Sequence, residues 1–177
     1  MSDVMDHQAR VVVVGVGDGG RSQVISDDLG AVRFPAPVAT STIVWEATSV
    51  PVILGEDVGP SPDWYLPQPG GLRVFHIAFA PDSSIDTAAR HEHLSATTLE
   101  QAGEERPLGF HTTPTVDVLT VIRGELYCLL DEGEVLLRQG DTLVQRATAH
   151  SWSNRTDEIV LAVATMVDAR DAEGRSS

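Results

Sequence analysis

Cysteine is nearly absent from this chain of 177 residues: Cys128 is the single one. No internal disulfide can form, and nothing in the fold depends on an oxidising compartment. Set in the apolar run Leu126-Tyr127-Cys128-Leu129-Leu130, the thiol is expected in the core. Basic side chains are scarce as well, 12 against 26 acidic ones for a net charge of −14, with no Lys/Arg cluster. That balance repels phosphate backbones and anionic lipid, so neither nucleic acid nor a membrane surface is an expected partner. The acids are spread along the chain as a solvated face would be. No apolar run approaches the roughly 20 residues that cross a bilayer, and the opening MSDVMDHQAR has neither a basic nor an apolar leader region; a cytoplasmic protein is expected. With 42% hydrophobic residues and a mean hydropathy of −0.03, the length suits one soluble domain with its own core.

What the chain does have is strand pattern. Residues 1–8 are polar and expected to be flexible. Val11 to Gly20 reads VVVVGVGDGG and contains Gly15-x-Gly17-x-x-Gly20 after an apolar run. A dinucleotide turn with that spacing needs a following helix to hold the pyrophosphate, and RSQVISDDLG offers none. The glycines are expected to close a hairpin between Arg10–Val16 and Ser22–Ser26. Proline-bearing VRFPAPV suggests an edge or crossing segment, Thr40–Thr48 a strand, and Val50–Gly71, with five prolines, a long loop pinned by Trp64, Tyr65 and Leu66 that serves as a lid, an oligomer arm or a plain connector. In LRVFHIAFA, Phe75, Ile77 and Phe79 share one face and Val74, His76 and Ala78 the other; His76 faces a pocket wall or a hydrogen-bonded interior. Ser84 to Ala102 is the one stretch of helical character, capped by Ser83 or Ser84 and ended by Gly103. Its His91-x-His93 diverges on a helix and is taken as solvent-facing. Glu158–Val167 is apolar on both faces, as a strand buried on both sides or at a dimer interface would be. Residues 169–177 form a polar tail expected to be disordered.

The densest chemistry lies between Phe110 and Asn154. Turn residues at Arg123-Gly124, Asp131-Glu132-Gly133 and Gln139-Gly140-Asp141 divide it into an antiparallel meander. In extended chain His111, Thr113, Thr115, Asp117 and Leu119 look the same way. His150, Trp152 and Asn154 repeat the arrangement, so a second imidazole joins the first if the sheet curls on itself. Tyr127, Gln145 and Trp152 are candidates to line the same pocket.

These residues carry a resemblance to the cupin domain. His111 matches the first His of its first motif, Asp117 stands where Glu is usual, and Gly124 matches the motif's glycine. Gly140-Asp141 opens the second motif, and His150 and Asn154 match its His and Asn. Thr113 replaces the second His, and Gln145 and Ala147 replace the usual Pro and Gly. The resemblance implies an all-β fold, a cupin-type double-stranded β-helix (jelly-roll) barrel with one short helix. A core over 105–168 would carry an N-terminal β extension with the helical segment, 9–104. It implies His111, Asp117 and His150 as ligands to a divalent metal (Fe, Mn, Ni or Zn), a set open to Lewis-acid or oxygen chemistry. Catalytic candidates are His111, Asp117, His150, Tyr127 and Gln145, with Thr113, Thr115, Trp152 and His76 in the substrate pocket. Without a metal, Asp117 would orient His111 and leave an imidazole as acid or base. The function expected is metal-assisted proton transfer on a small organic substrate by a lyase, dehydratase, cyclase or isomerase. The alternatives are a non-haem Fe(II) dioxygenase and a ligand-binding cupin without turnover. A homodimer is the expected assembly, implied by the resemblance alone.

Overall fold

Short alternating segments rich in Val, Ile, Leu and Thr cannot bury two faces as helices but can bury one face each as strands. The computed structural model describes residues 4–54, 60–62, 65–86 and 109–170. Its strands are β1 (Arg10–Val16), β2 (Ser22–Leu29), β3 (Arg33–Pro35), β4 (Ala39–Ala47), β5 (Leu72–Phe79), β6 (Thr115–Arg123), β7 (Glu125–Leu130), β8 (Gly133–Arg138), β9 (Thr142–Arg146), β10 (Ser151–Ser153) and β11 (Val160–Asp168). Among the described residues the helical elements are two 3-10 turns, Val4–Asp6 and Asp82–Ser84. The helix expected from Ser84 to Ala102 lies almost wholly outside the described residues, as do His91, His93 and Trp64.

Six strands form one antiparallel sheet in the order β3-β4-β5-β11-β6-β9, and three form another, β10-β7-β8. Their facing sides share one core: Leu126 and Leu137 of the smaller sheet pack with Phe75, Leu119, Val121 and Val160 of the larger. This is the jelly-roll arrangement, two sheets closed over a common interior. β11 sits centrally between β5 and β6; Val160, Ala162, Ala164 and Met166 face the core, and on the other face Leu161 is half-buried in the cluster of Val4, Ala78 and Ala80. β3, β4 and β5, from the N-terminal half, belong to the same sheet as β6, β9 and β11. Gly124, at φ +89, makes the tight turn from β6 to β7, and a Cβ there would come within 2.9 Å of Val160.

The glycine motif closes a hairpin, as its missing helix demanded. β1 and β2 pair only with each other, and β2 runs to Leu29, three residues beyond the expected end. Tyr65 and Leu66 pack on the core; the Tyr65 ring stacks on Phe75 at 4.9 Å. Cys128 is fully buried, and burial pushes its thiol up to about 11. Residues 4–9 lie against the sheet, with Arg33 Nη2 donating to the carbonyls of Met5 and His7.

Candidate active site

The curl of the sheet that the spacing required is made by one backbone bridge. His111 N–H donates to the His150 carbonyl at 2.9 Å and His150 N–H to the His111 carbonyl at 3.0 Å. Opposite residues of an antiparallel pair project to the same side, so the two imidazoles meet with ring centroids 4.3 Å apart. His111 Nδ1 lies 2.9 Å from the Gly109 carbonyl, and His150 Nδ1 lies 2.9 Å from the Thr148 carbonyl. A carbonyl only accepts, so in both rings Nδ1 carries the hydrogen, and in His150, which burial keeps neutral, Nε2 keeps its lone pair. Trp152 meets His150 edge to face at 5.6 Å.

Asp117 stands on the inner face of β6 with Thr113 and Thr115. All three are buried. Thr115 Oγ1 donates to Thr113 Oγ1 at 2.7 Å, and Thr113 Oγ1 lies 3.4 Å from Asp117 Oδ2, while Oδ1 has no partner among the described residues. Burial raises the Asp117 pKa above the usual carboxylate value, against the threonine hydroxyls and His111, which lower it. Gln145 is directly opposite Asp117 on β9 and is likewise buried with its Nε2 unpartnered.

Two expected pocket residues are elsewhere. Tyr127 is on the outward side of β7, its ring 4.0 Å beneath the Arg155 guanidinium, because Leu126 and Cys128 take the inward positions on that strand. His76 is on the outer face of β5, stacked on His7 at 5.3 Å, because Phe75 and Ile77 take the core side. Asn154 is buried too, but its amide donates to the carbonyls of Phe79 and Glu158, so it braces the turn into β11.

The register also carries a residue pair that the sequence reading passed over. Across the six-stranded sheet Glu46 faces Arg73, Arg73 faces Met166, Met166 faces Asp117, and Asp117 faces Gln145. The signal was present: Arg73 falls on the same alternation as Phe75, Ile77 and Phe79. An arginine in that position is either paired in the core or functional.

The expected three-ligand metal set is not assembled. When neutral, each imidazole offers an Nε2 of the kind a metal takes. However, among the described residues no three His, Cys, Asp or Glu side chains converge closely enough to hold an ion, and one Asp117 oxygen is taken up by threonine.

Burial, then the neighbouring His111, lowers the His150 pKa to about 4. An unfolded histidine titrates near 6.5, so the unfolded state gains protons first as pH falls. Stability linked to His150 is fully present above about 6.5 and is lost progressively down to about pH 4, by roughly 3 kcal/mol. Urea unfolding at pH 7 and pH 4.5 is expected to show this loss, and His150→Phe should remove most of it.

Comparison with known proteins gives cupin-domain relatives. A cupin-domain-containing oxidoreductase of Neurospora crassa is 47% identical over 55 residues, 30% of this chain and 27% of that protein. One of Aspergillus ruber is 29% identical over 153 residues, 84% of this chain and 66% of that protein. The chain belongs to the cupin superfamily. A phomopsin biosynthesis cluster protein of Diaporthe leptostromiformis is 31% identical to this cupin over 106 residues, 49% of the chain and 56% of the relative. The cupin thus spans from about a quarter to two thirds of the length of these curated relatives. No protein-family model matches it. Among solved structures, a putative ethanolamine utilization protein Q of Salmonella typhimurium superposes with a TM-score of 0.43 at 12% identity, covering 93% of this chain and 99% of that one. A Cupin 2 conserved barrel domain protein of Salinispora arenicola gives 0.39 at 17% identity over 63% and 72%.

Proposed function

We propose that this cupin is an enzyme that moves a proton on a small organic molecule, as a lyase, dehydratase, cyclase or isomerase does. The observation that supports it is that His150, kept neutral by burial, meets His111, and His111 in turn acts on the carboxyl of Asp117, whose burial favours the protonated form. His150 Nε2, or His111 Nε2 beside it, takes a proton from carbon or hydroxyl. Asp117 returns one to the developing oxyanion or the leaving group, with the Thr113–Thr115 relay holding its other oxygen. Two groups whose environments push their proton affinities apart are what acid–base catalysis at neutral pH requires. The Gln145 amide is placed to donate to a substrate oxygen, and Trp152 gives an apolar wall that excludes water. The cytoplasm remains the proposed setting.

The test is carbon–hydrogen exchange. Proton NMR in D2O, with carbonyl and hydroxy compounds as candidate substrates, is expected to show enzyme-dependent loss of α-proton signal. No exchange or elimination with any class of such compound sinks the reading. A second reading, oxidoreduction, is favoured by the names of the Neurospora and Aspergillus relatives. It predicts substrate-dependent oxygen uptake by protein whose elemental analysis shows bound metal. Relatives named for the phomopsin and oryzines biosynthesis clusters favour a biosynthetic intermediate as substrate in either case.

A homodimer is proposed on the hairpin. β1 and β2 expose Val12, Val14, Val16, Val24, Ile25 and Leu29, and an isolated two-stranded hairpin is marginal in water. Together with Trp45 and the apolar residues of 50–54 this makes an exposed surface on the order of 1,000 Å², more than a typical monomer leaves open and enough for one side of a stable interface. Val14 and Val24 are paired across the hairpin. The Val14→Asp, Val24→Asp variant is expected to sediment at the 19.0 kDa chain mass and the parent at twice that.

A further inference from the structure

The inner wall of the site holds a buried guanidinium with unused donors, and we infer that Arg73 anchors an anionic oxygen of the substrate, so that the substrate class is a small organic acid. The inference rests on the reading of the His111, Asp117 and His150 interior as the active site. Arg73 is wholly buried. Its Nη2 donates to Glu46 Oε1 at 2.9 Å and lies 3.3 Å from the Ser61 carbonyl. Its Nε and Nη1 have no partner among the described residues. A guanidinium has five N–H donors and cannot shed its charge, so most of its capacity is open in a place where unpaired donors are costly.

Surface arginines of the same chain behave differently. Arg10 engages both carboxylate oxygens of Asp27, and Arg155 both oxygens of Glu134, through two nitrogens each. Among the described residues the one fully buried guanidinium uses a single nitrogen on its carboxylate, where a purely structural pair would gain most from two. Glu46 is itself satisfied, since its Oε2 accepts from the Ser61 N–H at 2.8 Å.

The unused groups are gathered in one row. Arg73 Nε and Nη1, Asp117 Oδ1 and Gln145 Nε2 all belong to the line of register partners that crosses the inner face of the six-stranded sheet. Two strand spacings separate Arg73 from Asp117, roughly 10 Å between backbones. An acid whose carboxylate meets Arg73 would bring its third to fifth carbon near Asp117, with the Gln145 amide one strand further on. A guanidinium at one end, and the Asp117 acid with the Gln145 amide at the other, suit a carboxylate carrying a second oxygen, such as a keto or hydroxy acid.

Calorimetric titration of the full chain with 2-oxoglutarate, malate and benzoate, each against its methyl ester, tests this. At least one acid is expected to bind, and its ester to bind at least about tenfold more weakly. Because Arg73→Gln alone strands Glu46, the variant used is the paired Glu46→Gln, Arg73→Gln, which keeps shape and leaves no unpaired charge; it should lose the preference for acid over ester. Equal binding of acid and ester, an unchanged preference in the paired variant, or no binding of any acid at about 10 mM overturns the assignment of Arg73. Acid binding with the expected preference but no proton exchange in the parent protein would instead remove the proposed reaction and leave the anchor standing.

Discussion

Replacing Glu46 by alanine is expected to cost about 3–5 kcal/mol of stability, because it leaves a buried guanidinium without its counter-charge. The pair is closed to water on both sides, with side-chain exposures of 0% for Arg73 and 3% for Glu46 and a separation of 2.9 Å. Desolvation of each charge is already complete in the folded state, so removing one partner returns none of it. Glu46 also receives the Ser61 N–H, which ties the loop end at 60–62 to β4; alanine removes that hydrogen bond as well. Urea unfolding checks the magnitude. Replacing both members by apolar residues of similar volume is expected to be near neutral, since pair attraction and desolvation then disappear together. A loss below about 1 kcal/mol for Glu46→Ala would mean that Arg73 is hydrated or paired elsewhere, as an exposed ion pair of little worth would be.

Replacing His150 by alanine is expected to lower turnover in the deuterium-exchange assay by about 10²–10⁴-fold, the usual worth of a positioned acid or base. Binding of substrate should change far less. The ring is held by its own Nδ1–H bond to the Thr148 carbonyl and by contacts to His111 and Trp152, so its loss removes a proton acceptor and leaves the backbone bridge to His111 in place. His150→Gln keeps a donor for the Thr148 carbonyl and is expected to fold like the parent and stay inactive, which separates chemistry from packing. An exchange rate unchanged in both variants would remove His150 from the mechanism.

Much of the strand pattern was legible because alternation is a local property. Thr40–Thr48 and Leu72–Ala80 emerged within one residue of β4 and β5. The glycine run near the N-terminus was separable from a nucleotide turn by the missing helix alone. The pocket was legible where one strand carried several of its members, as with Thr113, Thr115 and Asp117, and where residue type singled out a position, as with His150 and Gln145. Tyr127 and His76 were misplaced for one reason. On β7 Tyr127 and Leu129 of one alternating set look as suitable for an interior as Leu126, Cys128 and Leu130 of the other, with Glu125 at the strand end the one contrary sign, and on β5 the small set that includes His76 looks as suitable for an interior as the large one.

By itself the sequence determined an antiparallel all-β chain, its turns, the pairing of β1 with β2, and the candidacy of His111, Asp117 and His150, since all of these follow from period-two alternation, turn chemistry and residue type over short spans. Only the tertiary structure decided which face of each strand is inside, because that depends on what another sheet covers. It decided that His111 and His150 meet, through reciprocal backbone hydrogen bonds. It also placed Arg73 beside Glu46 and two strands from Asp117, a row assembled from four distant segments by register alone. Register between strands far apart in sequence is set by the packing of the whole core, and no local pattern in the chain encodes it.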